Sequence, residues 1–234
     1  MQLDFRFRAL IFLLLLPTFT SAQERFEYIH HPDPYQIGEF HSAAGIALSA
    51  LPRTVVEEEI RTIPLIDFQC RYGLPANFSL YGRANTNVLT NFIKVAPQWS
   101  VKGGRFSLGL GYGLAFWYGI ANFDGFDVSA SSWMNFPTAS LGVDFDDWLV
   151  TFSGDIQIVT TRSTKVEEVV VGTDNNYVSG YGIAVSIEQP FYRDTHSLVS
   201  FKLNYTQAVY QAWLAFSTFR QYFVYPEFSF SLLF

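Results

Sequence analysis

Phe106 to Tyr118 reads FSLGLGYGLAFWY. Its even positions, Phe106, Leu108, Leu110, Tyr112, Leu114, Phe116 and Tyr118, are all apolar or aromatic. Its odd positions, Ser107, Gly109, Gly111, Gly113 and Ala115, are small until Trp117. Side chains of an extended chain point alternately to opposite faces, so a strict period of two gives one oily face and one nearly bare face. A helix would spread the same apolar groups all round and put three glycines in its interior, each costing about 1 kcal/mol. The stretch is therefore a strand, and its length suits a bilayer crossing, for which a tilted strand needs about 9–11 residues. The same alternation recurs along the chain and predicts an all-β fold: a transmembrane, antiparallel, up-and-down β-barrel of about ten strands. Eight or twelve follow if a weak element such as the first strand is miscounted.

The N-terminus has a different character. Arg6 and Arg8 precede an apolar core from Ala9 to Phe19, and Thr20-Ser21-Ala22 supplies small residues for cleavage. This is the layout of an export signal over residues 1–22. Its removal takes away two Arg and one Asp, moving the net charge from −6 to −7. An acidic balance argues against nucleic acid as a partner. Beyond that signal no apolar run approaches the ~20 residues of a membrane helix. Residues 23–37 lack alternation, hold two prolines and are read as a periplasmic tail; the barrel is then 38–234. The single cysteine, Cys70, has no internal partner for a disulfide and falls on the oily face.

At the far end Phe228, Phe230, Leu232 and Phe234 alternate with Glu227, Ser229, Ser231 and Leu233. This resembles the C-terminal strand of outer-membrane proteins of Gram-negative bacteria. The resemblance implies that these four residues act as an assembly signal read by the barrel-assembly machinery. It also implies a location in the outer membrane, in contact with its lipid and with both termini periplasmic.

Between the two ends, strands are expected at about Phe40–Leu51, Ile60–Tyr72, Phe78–Val88, Phe92–Val101, Phe106–Tyr118, Phe136–Phe145, Trp148–Val159, Tyr177–Glu188, Leu198–Ala208 and Tyr222–Phe234. Tight connections follow the second, fourth and sixth. Long loops are expected at Asn122–Asn135, Thr160–Asn176 and Val209–Gln221, with an acidic loop at Pro52–Glu59. Membrane barrels keep short turns on the periplasmic side and longer loops outside, which orients the chain. A soluble lipocalin-like barrel would need an outer face rich in Lys and Glu. Here the second face is mostly Gly, Ala, Ser, Thr and Asn, which suits a confined lumen. Aromatic girdles are expected from Tyr72, Trp99, Phe106, Phe145 and Trp148 at one end, and from Trp117, Tyr118, Trp133, Phe136 and Tyr177 at the other. Pro64, Pro97, Pro137 and Pro226 fit strands poorly because each lacks a ladder donor.

The lumen-facing positions carry both signs: Asp67, Asp155, Glu188 and Glu227 against Arg71, Arg83, Lys94 and Lys202. Charges enclosed by lipid must be paired and hydrogen-bonded, so an ion-pair network is expected, with Asp67 across from Arg83 in a hairpin centred on Pro75. Bare inward faces (Ala43, Gly45, Ala47; Gly109, Gly111, Gly113, Ala115; Gly180, Gly182, Ala184) leave room for large neighbours, a ligand or the N-terminal tail. Ten strands lie near the side-chain-filled limit rather than the channel limit.

Catalytic readings lack residues. The histidines are His30, His31, His41 and His196. His41 and Ser42 are adjacent and point to opposite faces, whereas His196-Ser197 has only Asp194 nearby as an orienter. No metal site is expected, since His30-His31 with Asp33 reads as a polar tail, and neither a phosphate loop nor a cofactor motif is present. The expected role is non-enzymatic: a structural or surface-interaction protein with a largely filled lumen. Loop aromatics Phe123, Phe126, Trp133, Tyr210, Trp213 and Phe216 are candidates to meet an extracellular or envelope protein partner. The alternative is a narrow, porin-like pore or uptake channel for small solutes.

Overall fold

The computed structural model describes residues 27–51, 62–87, 89–123, 126–167, 169–192, 195–213 and 221–234. Ten strands run in chain order: β1 Phe40–Ala50, β2 Thr62–Gly73, β3 Phe78–Thr86, β4 Thr90–Gly103, β5 Phe106–Phe123, β6 Phe126–Asp144, β7 Leu149–Val166, β8 Val169–Tyr192, β9 Thr195–Thr206 and β10 Phe223–Leu233. Each pairs antiparallel with its chain neighbours, and β1 with β10 closes the ring. The fold is an up-and-down barrel. The expected export signal and the acidic loop lie outside the described residues.

Polarity is inverted relative to a soluble protein. In β5, Leu108, Leu110, Tyr112 and Leu114 are exposed while Ser107, Ala115 and Trp117 are buried. In β2, Ile66, Phe68 and Tyr72 face out while Asp67, Gln69 and Arg71 are almost wholly buried. An apolar exterior around a polar interior is the arrangement of a transmembrane barrel.

The strands at Asn122–Asn135 and Thr160–Asn176 correct the loop expectation. β5 and β6 pair from Phe123↔Phe126 downward, and β7 and β8 from Val166↔Val169. These segments are tight hairpins on long strands. Their composition hid them, because a hairpin projecting beyond the membrane needs no oily face, so its period of two leaves no hydropathy signal. Asymmetry survives in another form. β9 joins β8 only from Gly180, so Val169–Ser179 overshoot it, and β8 reaches 24 residues where about 9–11 cross a bilayer. β5 to β8 thus carry a four-stranded extension past one end, called here the hairpin end.

The four prolines do sit within strands, facing outward. The β4–β5 ladder skips Ala96 and Pro97, and the β6–β7 ladder skips Phe136 and Pro137, so at two of them the pairing opens where a donor is missing.

The aromatic girdles need one correction. Tyr72, Trp99, Phe106, Phe145 and Trp148 are exposed at the short-turn end, and Tyr118 and Trp133 are exposed towards the other. Trp117 and Phe136 point inward and are buried, since both lie on the lumen parity of their strands, and Tyr177 is half-buried.

Candidate functional site: the interior of the barrel

Three layers of contacts lie in the interior. The first is at the short-turn end, where residues 27–36 enter the barrel ahead of β1. Ile29, His31 and Tyr35 are buried there. Glu188 of β8 accepts the backbone N–H groups of Ile29 at 2.5 Å, His30 at 3.0 Å and His31 at 2.8 Å. Arg71 of β2 donates to the carbonyls of Ile29 (3.3 Å), His31 (2.5 Å) and Asp33 (3.4 Å). Its guanidinium also lies 4.3 Å from the centroid of the Tyr35 ring. Among the described residues Arg71 and Glu188 therefore stand outside the expected ion-pair network: Glu188 accepts from peptide backbone, and Arg71 bonds backbone carbonyls together with Ser79 Oγ at 2.9 Å and Ser100 Oγ at 3.2 Å. Charge-assisted bonds of this kind are about twice as strong as neutral ones.

Side chains complete this layer. His30 bridges Ser186 Oγ at 2.7 Å and Gln69 Oε1 at 2.6 Å. Gln69 Oε1 also accepts the Tyr81 hydroxyl at 2.9 Å, and Ser186 donates to Ser200 at 3.1 Å. Burial holds the His30 imidazole below its ordinary range, opposed by the Glu188 charge. Serine, histidine and amide stand here in the order of a nucleophile relay, yet the relay ends on an amide rather than a carboxylate. Asp33 accepts from Lys102 at 2.5 Å and from Ser107, with His31 Nε2 3.3 Å away. Burial alone would raise its carboxyl, but these partners hold it well below the usual carboxylate range. A Cβ at Gly142 would lie 2.7 Å from Pro32 Cδ, and one at Gly109 would lie 2.8 Å from Pro32 Cβ. Those two bare positions make room for the tail.

The second layer is ionic. Asp67 accepts Arg83 Nε and Asn85 Nδ2, each at 2.8 Å, and Gln69 Nε2 at 2.8 Å. Arg83 also reaches Glu227 at 3.0 Å. Directly opposite Asp67 stands Asn85; Arg83 pairs with Gln69 and meets Asp67 on the diagonal. The hairpin turns about Ala76, not Pro75, because Ala76 and Asn77 both take left-handed backbone (φ 60° and 61°). Lys202 pairs with Asp155 at 2.6 Å, and the Lys94 ammonium sits 4.8 Å from the Phe136 ring centroid. A cavity of about 70 Å³ lies among Tyr81, Arg83, Lys94, Lys202, Tyr225 and Glu227. That is room for a few waters.

The third layer lies towards the hairpin end. A single 3₁₀ turn, Tyr210–Ala212, follows β9 and folds into the lumen. Trp213 is buried, with its indole N–H 3.4 Å from the Leu89 carbonyl, and Tyr210 stacks on Phe92 at 4.6 Å. Gln211 donates to Glu227 at 3.1 Å and accepts from Tyr225 at 3.2 Å. Tyr210 and Trp213, expected as outward anchors, thus point inward, where Phe92, Trp117, Met134 and Phe136 offer them an apolar surround. Trp133 remains exposed, Phe123 and Phe126 end their strands at the hairpin, and Phe216 lies outside the described residues. At the other end of the chain, Phe228, Phe230, Leu232 and Phe234 all face outward.

Sequence reasoning placed the charges on the lumen face but missed what Arg71 and Glu188 hold. Its usable signal was the bare glycine face opposite a proline-rich tail.

No family model and no curated protein matches this chain. Among solved structures, Neisserial surface protein A (NspA) is 9% identical, with a TM-score of 0.40, covering 83% of this chain and 95% of its own. CdiB from Acinetobacter baumannii is also 9% identical, with a TM-score of 0.33, covering 71% of this chain and 31% of its own.

Proposed function

We propose that this chain is a non-enzymatic outer-membrane β-barrel of a Gram-negative bacterium, with a side-chain-filled lumen and a role in structure or surface interaction. One observation carries the reading: an oily exterior encloses an interior occupied at both ends, by residues 27–36 and by Ala208–Trp213. The short-turn end, with both chain termini, faces the periplasm, and the β5–β8 extension faces outward to meet an extracellular or envelope partner. Phe228, Phe230, Leu232 and Phe234 serve the assembly machinery during insertion and lipid afterwards.

Planar bilayer recordings test it. The purified protein should show no discrete conductance; reproducible current steps would replace this reading with that of a narrow pore for small solutes. The Asp67→Asn variant separates the two further. In a filled barrel it weakens the hub that receives Arg83, Asn85 and Gln69, costing about 2 kcal/mol in urea unfolding. In a pore it mainly alters ion preference.

A further inference from the structure

We propose that the short-turn mouth of the barrel is a binding site for an extended polypeptide, occupied here by the chain's own residues 28–35. Glu188 and Arg71, both almost wholly buried, are built into opposite walls of the mouth. Glu188 meets the tail through main chain, with three successive N–H groups on its carboxylate, and Arg71 holds the carbonyls of Ile29, His31 and Asp33 besides lying against the Tyr35 ring. Bonds to peptide groups do not depend on which side chains the bound segment carries. Selectivity comes from three neighbouring positions. Ser186 and Gln69 take a planar ring with two nitrogens, the glycines at 109 and 142 leave space for a proline, and Arg71 lies beneath an aromatic ring. The preferred ligand is thus an extended segment with an imidazole, a proline two residues on and an aromatic three beyond that.

The occupant is separable from its receptor. It joins β1 through Ile37-Gly38-Glu39, where Gly38 has φ +83° and Ile37 is 75% exposed. A Cβ at Gly38 would meet nothing within 4 Å, and the joint is tied to the barrel through the backbone bonds between Gly38 and Gly73 (3.0 Å) and between Gly73 and Glu39 (2.8 Å). A tethered segment acts at an effective concentration in the millimolar range, so an outside peptide competes only once the tether's own grip is weakened. Apparent affinity then rises in proportion to the open fraction. The site lies at the end opposite the projecting hairpins and rests on the occupied lumen proposed above.

The experiment titrates a fluorescent synthetic peptide of residues 27–36 against the full chain in detergent, with anisotropy as the readout. The Ile29→Pro variant removes the donor that meets Glu188 at 2.5 Å and alters no barrel residue. It should bind the peptide at least tenfold more tightly than the unaltered chain. A peptide N-methylated at the positions of Ile29 and His31 should fail to bind this variant. Adding Glu188→Gln should weaken binding of the unmodified peptide. Native folding of each variant is checked by its heat-modifiable mobility. Absence of peptide binding to folded Ile29→Pro overturns the proposal, as does equal binding of the N-methylated peptide.

Discussion

The two ends of the lumen are occupied through opposite chemistry. At the short-turn end a non-repetitive segment is held by a carboxylate and a guanidinium that bond its backbone. At the hairpin end Trp213 and Tyr210 pack among Phe92, Trp117, Met134 and Phe136. Polar closure is directional and fails stepwise as its donors lose their acceptors. Apolar closure is non-directional and fails in proportion to the volume removed. The same barrel wall supports both because its inward face changes from charged at one end to aromatic at the other.

Breaking each closure separately tests this contrast. The largest effect is expected from Glu188→Ala, which strands three N–H groups together, two of them buried. It should cost about 3–5 kcal/mol in urea unfolding and strip hydrogen-exchange protection from Ile29 to His31 while sparing Leu89. Trp213→Ala should cost about 3 kcal/mol through the cavity it leaves, with the reverse exchange pattern. Protection lost at both ends in either variant would show that the closures form one cooperative unit.

Adding a methyl group sharpens the same comparison. At Gly119 a new Cβ would run into the Trp213 indole, and at Gly142 into His31 and Pro32. Overpacking of this kind costs about 1–3 kcal/mol. Gly119→Ala should approach the upper figure, because the indole is walled in by a buried cluster. Gly142→Ala should fall lower, since the tail can shift as a unit; comparable midpoints for the two variants would remove that distinction.

Acid should give the smallest effect, confined to the short-turn end. The His30 value is depressed in the folded chain, so its contribution is complete above about pH 6.5 and is lost as pH falls through the folded value. Glu188 and Asp67 moderate the loss, and Arg83 adds to it. Asp33, also depressed, contributes above its ordinary value of 3.8 and fails only in stronger acid. Between pH 7.5 and 5, protection at residues 29–31, taken relative to the intrinsic exchange rate at each pH, should therefore fall severalfold while that of the Trp213 region stays unchanged. An equal fall at both ends would point to a general acid effect instead.

The alternation in FSLGLGYGLAFWY and its repeats made strands, facing and closure legible without coordinates, because a bilayer imposes one polarity on every crossing strand. Lumen charges such as Asp67 and Arg83 were legible for the same reason. Beyond the membrane that constraint lapses, and Val169–Asn176 read as loop although it pairs with β7 as strand. Partner choice was equally hidden: Asp67 faces Asn85 because two left-handed residues in the turn move the register by two.

What the linear chain determined by itself was the inside and outside of each wall segment, since side-chain parity follows from local geometry alone. What only the tertiary structure decided was which groups meet across the lumen: Glu188 with the amides of residues 29–31, and Trp213 over Gly119. Those contacts join positions more than 90 residues apart, and no local periodicity can encode the three-dimensional closure that brings them together.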